Sequence, residues 1–373
     1  MLNYQHTDAS LAGFSHRVSV VVLLINAHSH LAILFAKHQL GFMTSLNTIP
    51  FSLLELSSMR QDEHFADTLK KSTQYAQHAD QLGFHRFWFA EHHNMQGIAS
   101  SATAVLIGHV ANHTEHLRVG SGGIMLPNHA PLVVAEQFGT LDSLHPNRID
   151  LGLGRAPGSD ASTSQALNRD PSRADRFEQE VTELQTLLGP HQAGKSVRAY
   201  PGENSQVPIW LLGSSLFSAK LAAKKGLPYA FAGHFAPRYV YQAVDVYRQH
   251  FTPSEHLSKP YVMVALPLVA AQTDQQAQYL SSTQKQRILA LLRGEGLWLK
   301  PPVDSMQGLW TEQERAFVDD FLSLNVCGGP ISIRHKLEQL LNTLAIDELM
   351  FTNDMYHHQD RLTALDILAE IKQ

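Results

Sequence analysis

The chain has 373 residues, 44% of them hydrophobic and 17% charged, a balance that suits one large or two ordinary globular domains and excludes a disordered or fibrous chain. A net charge of −5 gives no electrostatic footing for nucleic acid or an anionic membrane. The one cysteine, Cys327, rules out a disulfide framework within the chain and fits a reducing, cytoplasmic compartment.

Residues 18–35, VSVVVLLINAHSHLAILF, are apolar but interrupted by Asn26, His28, Ser29 and His30. A membrane span needs about 20 mostly apolar residues, and polar groups at its centre are costly. Arg17 is the only basic residue nearby and no small-residue cleavage site follows cleanly, which argues against a signal peptide. Residues 1–42 therefore read as an appendage, with one domain over 43–373.

From Thr48 the pattern alternates. IPFSLLEL (49–56) reads as a strand. Residues 64–82 read as a helix with Phe65, Leu69 and Ala76 on one face, closed by Gly83. RFWFA (86–90) is the second strand, followed by a helix over 102–112. LRVGSGGIML (117–126) is the third strand with its loop, and Pro131 opens a helix to about Leu144. RIDLGLG (148–154) is the fourth strand, with a helix from about Arg173 to Leu188. PIWLLG (208–213) and the helix 218–225 form the fifth pair, YAFAG (229–233) and 237–250 the sixth. YVMVALPLVAA (261–271) is the seventh strand. A long irregular region follows, with an insertion over 282–327 of the kind that forms a substrate loop or lid. Residues 331–344 are a helix, DELMFTN (347–353) the eighth strand and 358–372 the last helix. Near-continuous apolar strands joined by helices imply a parallel sheet covered on both faces, and eight units predict a (β/α)8 barrel with its site at the C-terminal strand ends.

Four of those ends carry chemistry. FWFAEHH stops an apolar run on Glu91, His92 and His93, three groups too polar to bury unless they meet solvent or a ligand. Strand alternation points Glu91 and His93 the opposite way from His92. A metal site is not indicated, because adjacent histidines seldom share one ion and no third ligand stands at helical spacing. GSGG (120–123) offers bare backbone against which a flat ring can lie. Arg155, in GLGRAPG, suits a phosphate or an anionic ring. Ser214, Ser215 and Ser218, in GSSLFS, open a helix where hydroxyls, backbone N–H groups and the helix dipole favour a phosphate monoester, although a plain serine cap has the same look.

From about Ile49 to the C-terminus the sequence resembles the bacterial luciferase-like flavin monooxygenases, most densely in FWFAEHHNMQGIASSATAVLIGHVA and LRVGSGGIMLPNHAPLVVAEQFGTLDSLHPNRIDLGLGRAPGSD. The subgroup it resembles has mostly unassigned substrates. The resemblance implies a barrel that binds reduced FMN, activates oxygen on the flavin and acts on a small organic molecule. It also implies a homodimer, with an NAD(P)H:flavin reductase as the source of FMNH2. His92 matches the family's active-site histidine, flanked by Glu91 and His93. Gly122–Gly123 matches a non-proline cis peptide beneath the flavin. Arg155 matches an arginine on the flavin phosphate, and Ser214, Ser215 and Ser218 match the phosphate pocket. Two positions depart from luciferase: Gly154 replaces a reactive cysteine, and Ser214 replaces a glutamate. On this resemblance His92 moves the proton of the oxygenation, oriented by Glu91 or His93. Relatives on this barrel also include deazaflavin-dependent dehydrogenases and non-catalytic flavin-binding or partner subunits. Retention of EHH, GSGG, Arg155 and the serines weighs against the partner subunit.

Overall fold

The apolar runs become strands because both of their faces are covered. The computed structural model describes residues 45–156, 160–167, 170–194, 196–205 and 207–373, and the appendage expected over 1–42 lies outside them. The strands are β1 Phe51–Glu55, β2 Arg86–Phe89, β3 Arg118–Ser121, β4 Ile124–Met125, β5 Ile149–Gly154, β6 Ile209–Gly213, β7 Tyr229–Phe231, β8 Val262–Ala270, β9 Val326–Gly328 and β10 Glu348–Thr352. Eight of them pair in parallel in the order β1-β2-β3-β5-β6-β7-β8-β10, and β10 also pairs with β1, so the sheet closes into the expected barrel. Short β4 and β9 extend beyond it, on β5 and β8.

Alternation splits each strand between two cores. Leu53, Phe87, Phe89, Val119 and Leu151 face outward and pack with the apolar sides of the helices. Leu54, Trp88, Trp210, Ala230, Met263 and Met350 fill the barrel interior. At the N-terminal end of the strands the interior is closed by ions. Arg86 donates to Glu348 at 3.0 and 3.1 Å and to Asp150 at 2.6 Å, and Arg118 donates to Asp150 at 2.6 Å. Trp88 donates to Asp150 at 3.1 Å and Tyr261 to Glu348 at 2.9 Å. Burial pushes the Asp150 carboxyl up, but the two guanidiniums outweigh it and hold the group below its ordinary range.

Two expectations are corrected. The helix Phe65–Gln81 buries Ser72, Tyr75, Ala76 and Ala79, while Phe65 is 62% exposed. Its inner face is polar as well as apolar because Ser72 donates to the buried Glu55 carboxylate, which Arg361 also meets. The region after β8 is not irregular. Residues Asp274–Arg293 form a 20-residue helix that runs through the expected boundary at 282, and Glu312–Phe321 forms another. The apolar periodicity is hidden because the first of these helices buries Ser281, Thr283, Gln284 and Arg287. Arg287 reaches the barrel rim, where it donates to Asp354 at 2.6 Å and also meets Ser58, which itself donates to Asp354 at 2.8 Å.

Backbone bonds tie the segment beyond that helix to the same rim. Met59 donates to Gly97 at 2.9 Å, Leu297 to Gln96 at 2.8 Å and Leu299 to Met59 at 2.7 Å. Gly97 has φ +89°, and a Cβ there would lie 2.4 Å from the Leu297 carbonyl carbon. Gly97→Ala is therefore expected to cost about 2–4 kcal/mol through overpacking and left-handed backbone strain. Its signature is a lower melting temperature together with faster protease cleavage at 294–299. An unchanged melt means that the contact between these two loops is dispensable.

Candidate active site

The C-terminal mouth of the barrel has a small, apolar floor. Ala90, Ala265, Leu56 and Leu212 continue the interior register upward. At the end of β3 the Gly122–Gly123 peptide is cis. A Cβ on Gly122 would lie 2.5 Å from Leu54 Cδ1, and one on Gly123 would lie 2.4 Å from Leu212 Cδ1. The floor here is bare backbone because nothing larger fits. Gly154, at the end of β5, lies under the end of the Met125 side chain, whose Sδ is 2.7 Å from a built Cβ. A cysteine in that position would require the Met125 side chain to move.

His92 carries the inward register of Trp88 and Ala90 to the rim, and its backbone N–H is fixed by the Ser100 carbonyl at 3.0 Å. Glu91 and His93 take the opposite register. The Glu91 carboxylate is 1% exposed and receives His93 Nε2 at 3.0 Å, His129 Nε2 at 2.9 Å, Asn128 Nδ2 at 3.3 Å and the Met125 N–H at 3.1 Å. Burial pushes this carboxyl up, but the bonds from His129, Met125 and His93 prevail and hold it below its ordinary range. These bonds make a clamp behind the strand. Through Glu91, His93 is tied to the connection at Met125–His129. The carboxylate and two imidazole nitrogens lie within 4.8 Å of one another, close enough for a metal ion. The third group, His129, sits 36 residues after His93 and was invisible to a local search. The 2.9–3.0 Å separations are those of hydrogen bonds, and the clamp accounts for them.

Across the mouth, the chain brings Arg155 to the first turn of the helix that follows β6. The Arg155 guanidinium lies over the Phe217 ring, 4.0 Å from its centroid. Phe217 is in the first turn of the helix Leu216–Lys225, capped by Ser215. Among the described residues the Ser215 side chain makes no cap bond to the first turn of the helix. Ser218 does not join the rim. It is 5% exposed and its hydroxyl donates to the Ser215 carbonyl at 3.1 Å, against Gly213, where a Cβ would lie 2.0 Å from that hydroxyl. The helix starts at 216 rather than 218, which turns Ser218 inward.

Other rim groups are Ser58, Asp354 and Arg287, bonded as above, and His234, three residues after β7. Sequence reading passed over Phe217 and the Asp354 group, for which only the fold supplies the proximity. His234 had a signal: YAFAGH ends an apolar run on histidine much as FWFAEHH does.

Residues 48–347 match the family model for luciferase-like monooxygenase. An Escherichia coli (strain K12) protein named luciferase-like monooxygenase is 45% identical over 327 residues, covering 87% of this chain and 98% of its own. Among solved structures, apo-MsnO8 is 32% identical with a TM-score of 0.77, covering 87% of this chain and 98% of the other. Fold likeness alone extends to two cofactor complexes. One is the FMN-bound oxygenating constituent of a Pseudomonas putida diketocamphane monooxygenase, at 15% identity, TM-score 0.65 and coverage of 86% and 97%. The other is an F420-dependent secondary alcohol dehydrogenase, at 14% identity, TM-score 0.62 and coverage of 87% and 98%.

The clamp predicts a pH dependence. Glu91 has a depressed pKa in the folded chain, so it contributes stability above its unfolded value of 4.5 and loses it as pH falls through the lower folded value. Glu91→Gln is expected to cost about 2–4 kcal/mol at neutral pH, a gap that closes below the ordinary carboxylate range. Denaturant melts of both proteins at pH 7 and pH 3.5 measure it. A gap of equal size at the two pH values contradicts the clamp.

Proposed function

Because the chain belongs to the luciferase-like monooxygenase family, we propose that it is an FMN-dependent monooxygenase that uses reduced flavin and O2 on a small organic substrate. The observation that carries this reading is the pairing of an anion site with a bare floor. Arg155, stacked on Phe217 in the first turn of a helix, suits a phosphate monoester, and the Gly122–Gly123 backbone at the end of β3 suits a flat ring. These residues fit a flavin phosphate ester.

When bound, reduced FMN supplies two electrons and the place where O2 reacts, one oxygen atom passing to the substrate and the other leaving as water. The chain does the rest. Arg155 and the backbone N–H groups after Ser215 hold the phosphate. Gly122 and Gly123 let the ring approach closely. His92, set on the inward register by the Glu91 clamp behind it, holds and returns the proton that oxygen transfer requires. The helix Asp274–Arg293, pinned through Arg287 to Ser58 and Asp354, keeps one side of the mouth covered from water.

Two sets of variants test this. Arg155→Ala is expected to weaken FMN binding about tenfold, and Phe217→Ala about two- to fivefold through loss of the stacked cation, while riboflavin, which lacks the phosphate, binds both as it binds wild type. Fluorescence titrations read all three. Equal losses for FMN and riboflavin remove these residues from a phosphate site, and a deazaflavin that binds more tightly than FMN moves the chain to hydride transfer without oxygen. His92→Ala is expected to keep FMN affinity and lose about 10²–10⁴-fold in substrate-dependent oxygen consumption. Near wild-type turnover in that variant rules out the proton role.

A further inference from the structure

His234 is placed by the chain with some care. Pairing with β6 continues past β7, the Ala232 N–H donating to the Gly213 carbonyl at 3.0 Å. The chain then turns at Gly233, whose N–H bonds back to the Phe231 carbonyl at 3.0 Å. A Cβ on Gly233 would lie 2.6 Å from the Ala265 carbonyl oxygen, so only glycine allows the turn this close to β8. Phe235 and Ala236 donate to the Ala232 carbonyl at 3.1 Å each and complete the turn. The imidazole is left at the rim, half-buried, with Nδ1 sealed from solvent and without a hydrogen-bond partner among the described residues. The charged and titratable groups that face it are Asp354, itself bonded to Ser58 and Arg287, and His92. Enclosure pushes its pKa down to about 4, against the pull of Asp354 and with a small push from His92. The ring is neutral near pH 7, with one nitrogen open.

An enclosed polar atom without a partner is unfavourable, and a ligand at the mouth of a barrel is the natural group to satisfy it. The flavin ring carries its carbonyls and nitrogens on its edge. Over an apolar floor, that edge meets the first polar side chain above the floor on each strand. On β2 this is His92, and on β7 it is His234. We propose that His234 is a cofactor-binding residue whose Nδ1 makes one hydrogen bond to the polar edge of the flavin ring. The proposal rests on the flavin reading above and deepens it, since nothing in the phosphate site requires it.

The test uses oxidised FMN and riboflavin, both of which carry the ring, with flavin fluorescence for affinity and the visible absorption band as a second readout. His234→Phe keeps a flat ring without polar atoms and is expected to weaken both ligands about three- to tenfold and to shift the bound flavin's visible band. His234→Asn sets its amide where Nδ1 stands and is expected to recover most of the affinity. His234→Gln reaches toward Nε2 instead and is expected to recover little. If His234→Phe fails to melt cooperatively, His234→Ala replaces it with the same expectation. Affinity and spectrum equal to wild type for a folded variant overturn the assignment and leave the flavin reading standing. A wild-type chain that binds neither FMN nor riboflavin overturns the flavin reading itself. Loss for FMN alone places His234 at the phosphate and also overturns the proposal.

Discussion

The Glu91 carboxylate takes hydrogen bonds from His93, His129, Asn128 and the Met125 backbone, and this one buried acceptor fixes the relation of β2 to the connection beyond β3. Both things that matter at the mouth depend on that relation. His92 lies next to Glu91 in the chain, so anchoring Glu91 outward sends His92 inward. Gly122 and Gly123 precede Met125 by two or three residues, so anchoring Met125 fixes the bare backbone over the interior. A buried carboxylate without partners is expensive, and four donors make this one tolerable while committing it to a single geometry.

The two ends of the barrel divide the work. At the N-terminal end Arg86, Arg118, Asp150 and Glu348 bring two positive and two negative groups together and tie four strands to one another. Trp88 and Trp210 lie above them, edge to face with centroids 5.2 Å apart. The C-terminal end above this layer has Ala90, Ala265, Leu56 and Leu212 facing the interior, with Gly122 and Gly123 against Leu54 and Leu212. The two tryptophans and the four-membered ion cluster sit below, and smaller interior residues sit above, at the end where barrels of this kind act.

Much of this was legible in the sequence. The eight strands announce themselves because each is buried on both faces, so they read as runs such as FWF and VMVALPLVA with little ambiguity. Pro131 and the stop after Leu144 mark the helix Pro131–Leu144 at both ends. The EHH, GSGG and GSSLFS segments were found because each interrupts an apolar strand with residues that burial disfavours. What escaped was proximity without sequence neighbours. His129, Phe217 and Asp354 acquire meaning only when β2, β5 and β10 are brought to one ring. The helix Asp274–Arg293 escaped for a different reason: between Leu280 and Leu289 its buried face is built on Ser281, Gln284 and Arg287, so the apolar stripe that advertises a helix is interrupted. Ser218 was misplaced by a two-residue error in a helix start, enough to turn a hydroxyl from the rim into the packing.

The most direct measurement is a diffraction structure of the chain crystallised with FMN. The account predicts density for the phosphate against Arg155 and the N–H groups after Ser215, and for the ring over Gly122–Gly123 with His92 and His234 at its edge. Flavin bound elsewhere, or a mouth that stays empty at saturating FMN, would contradict it.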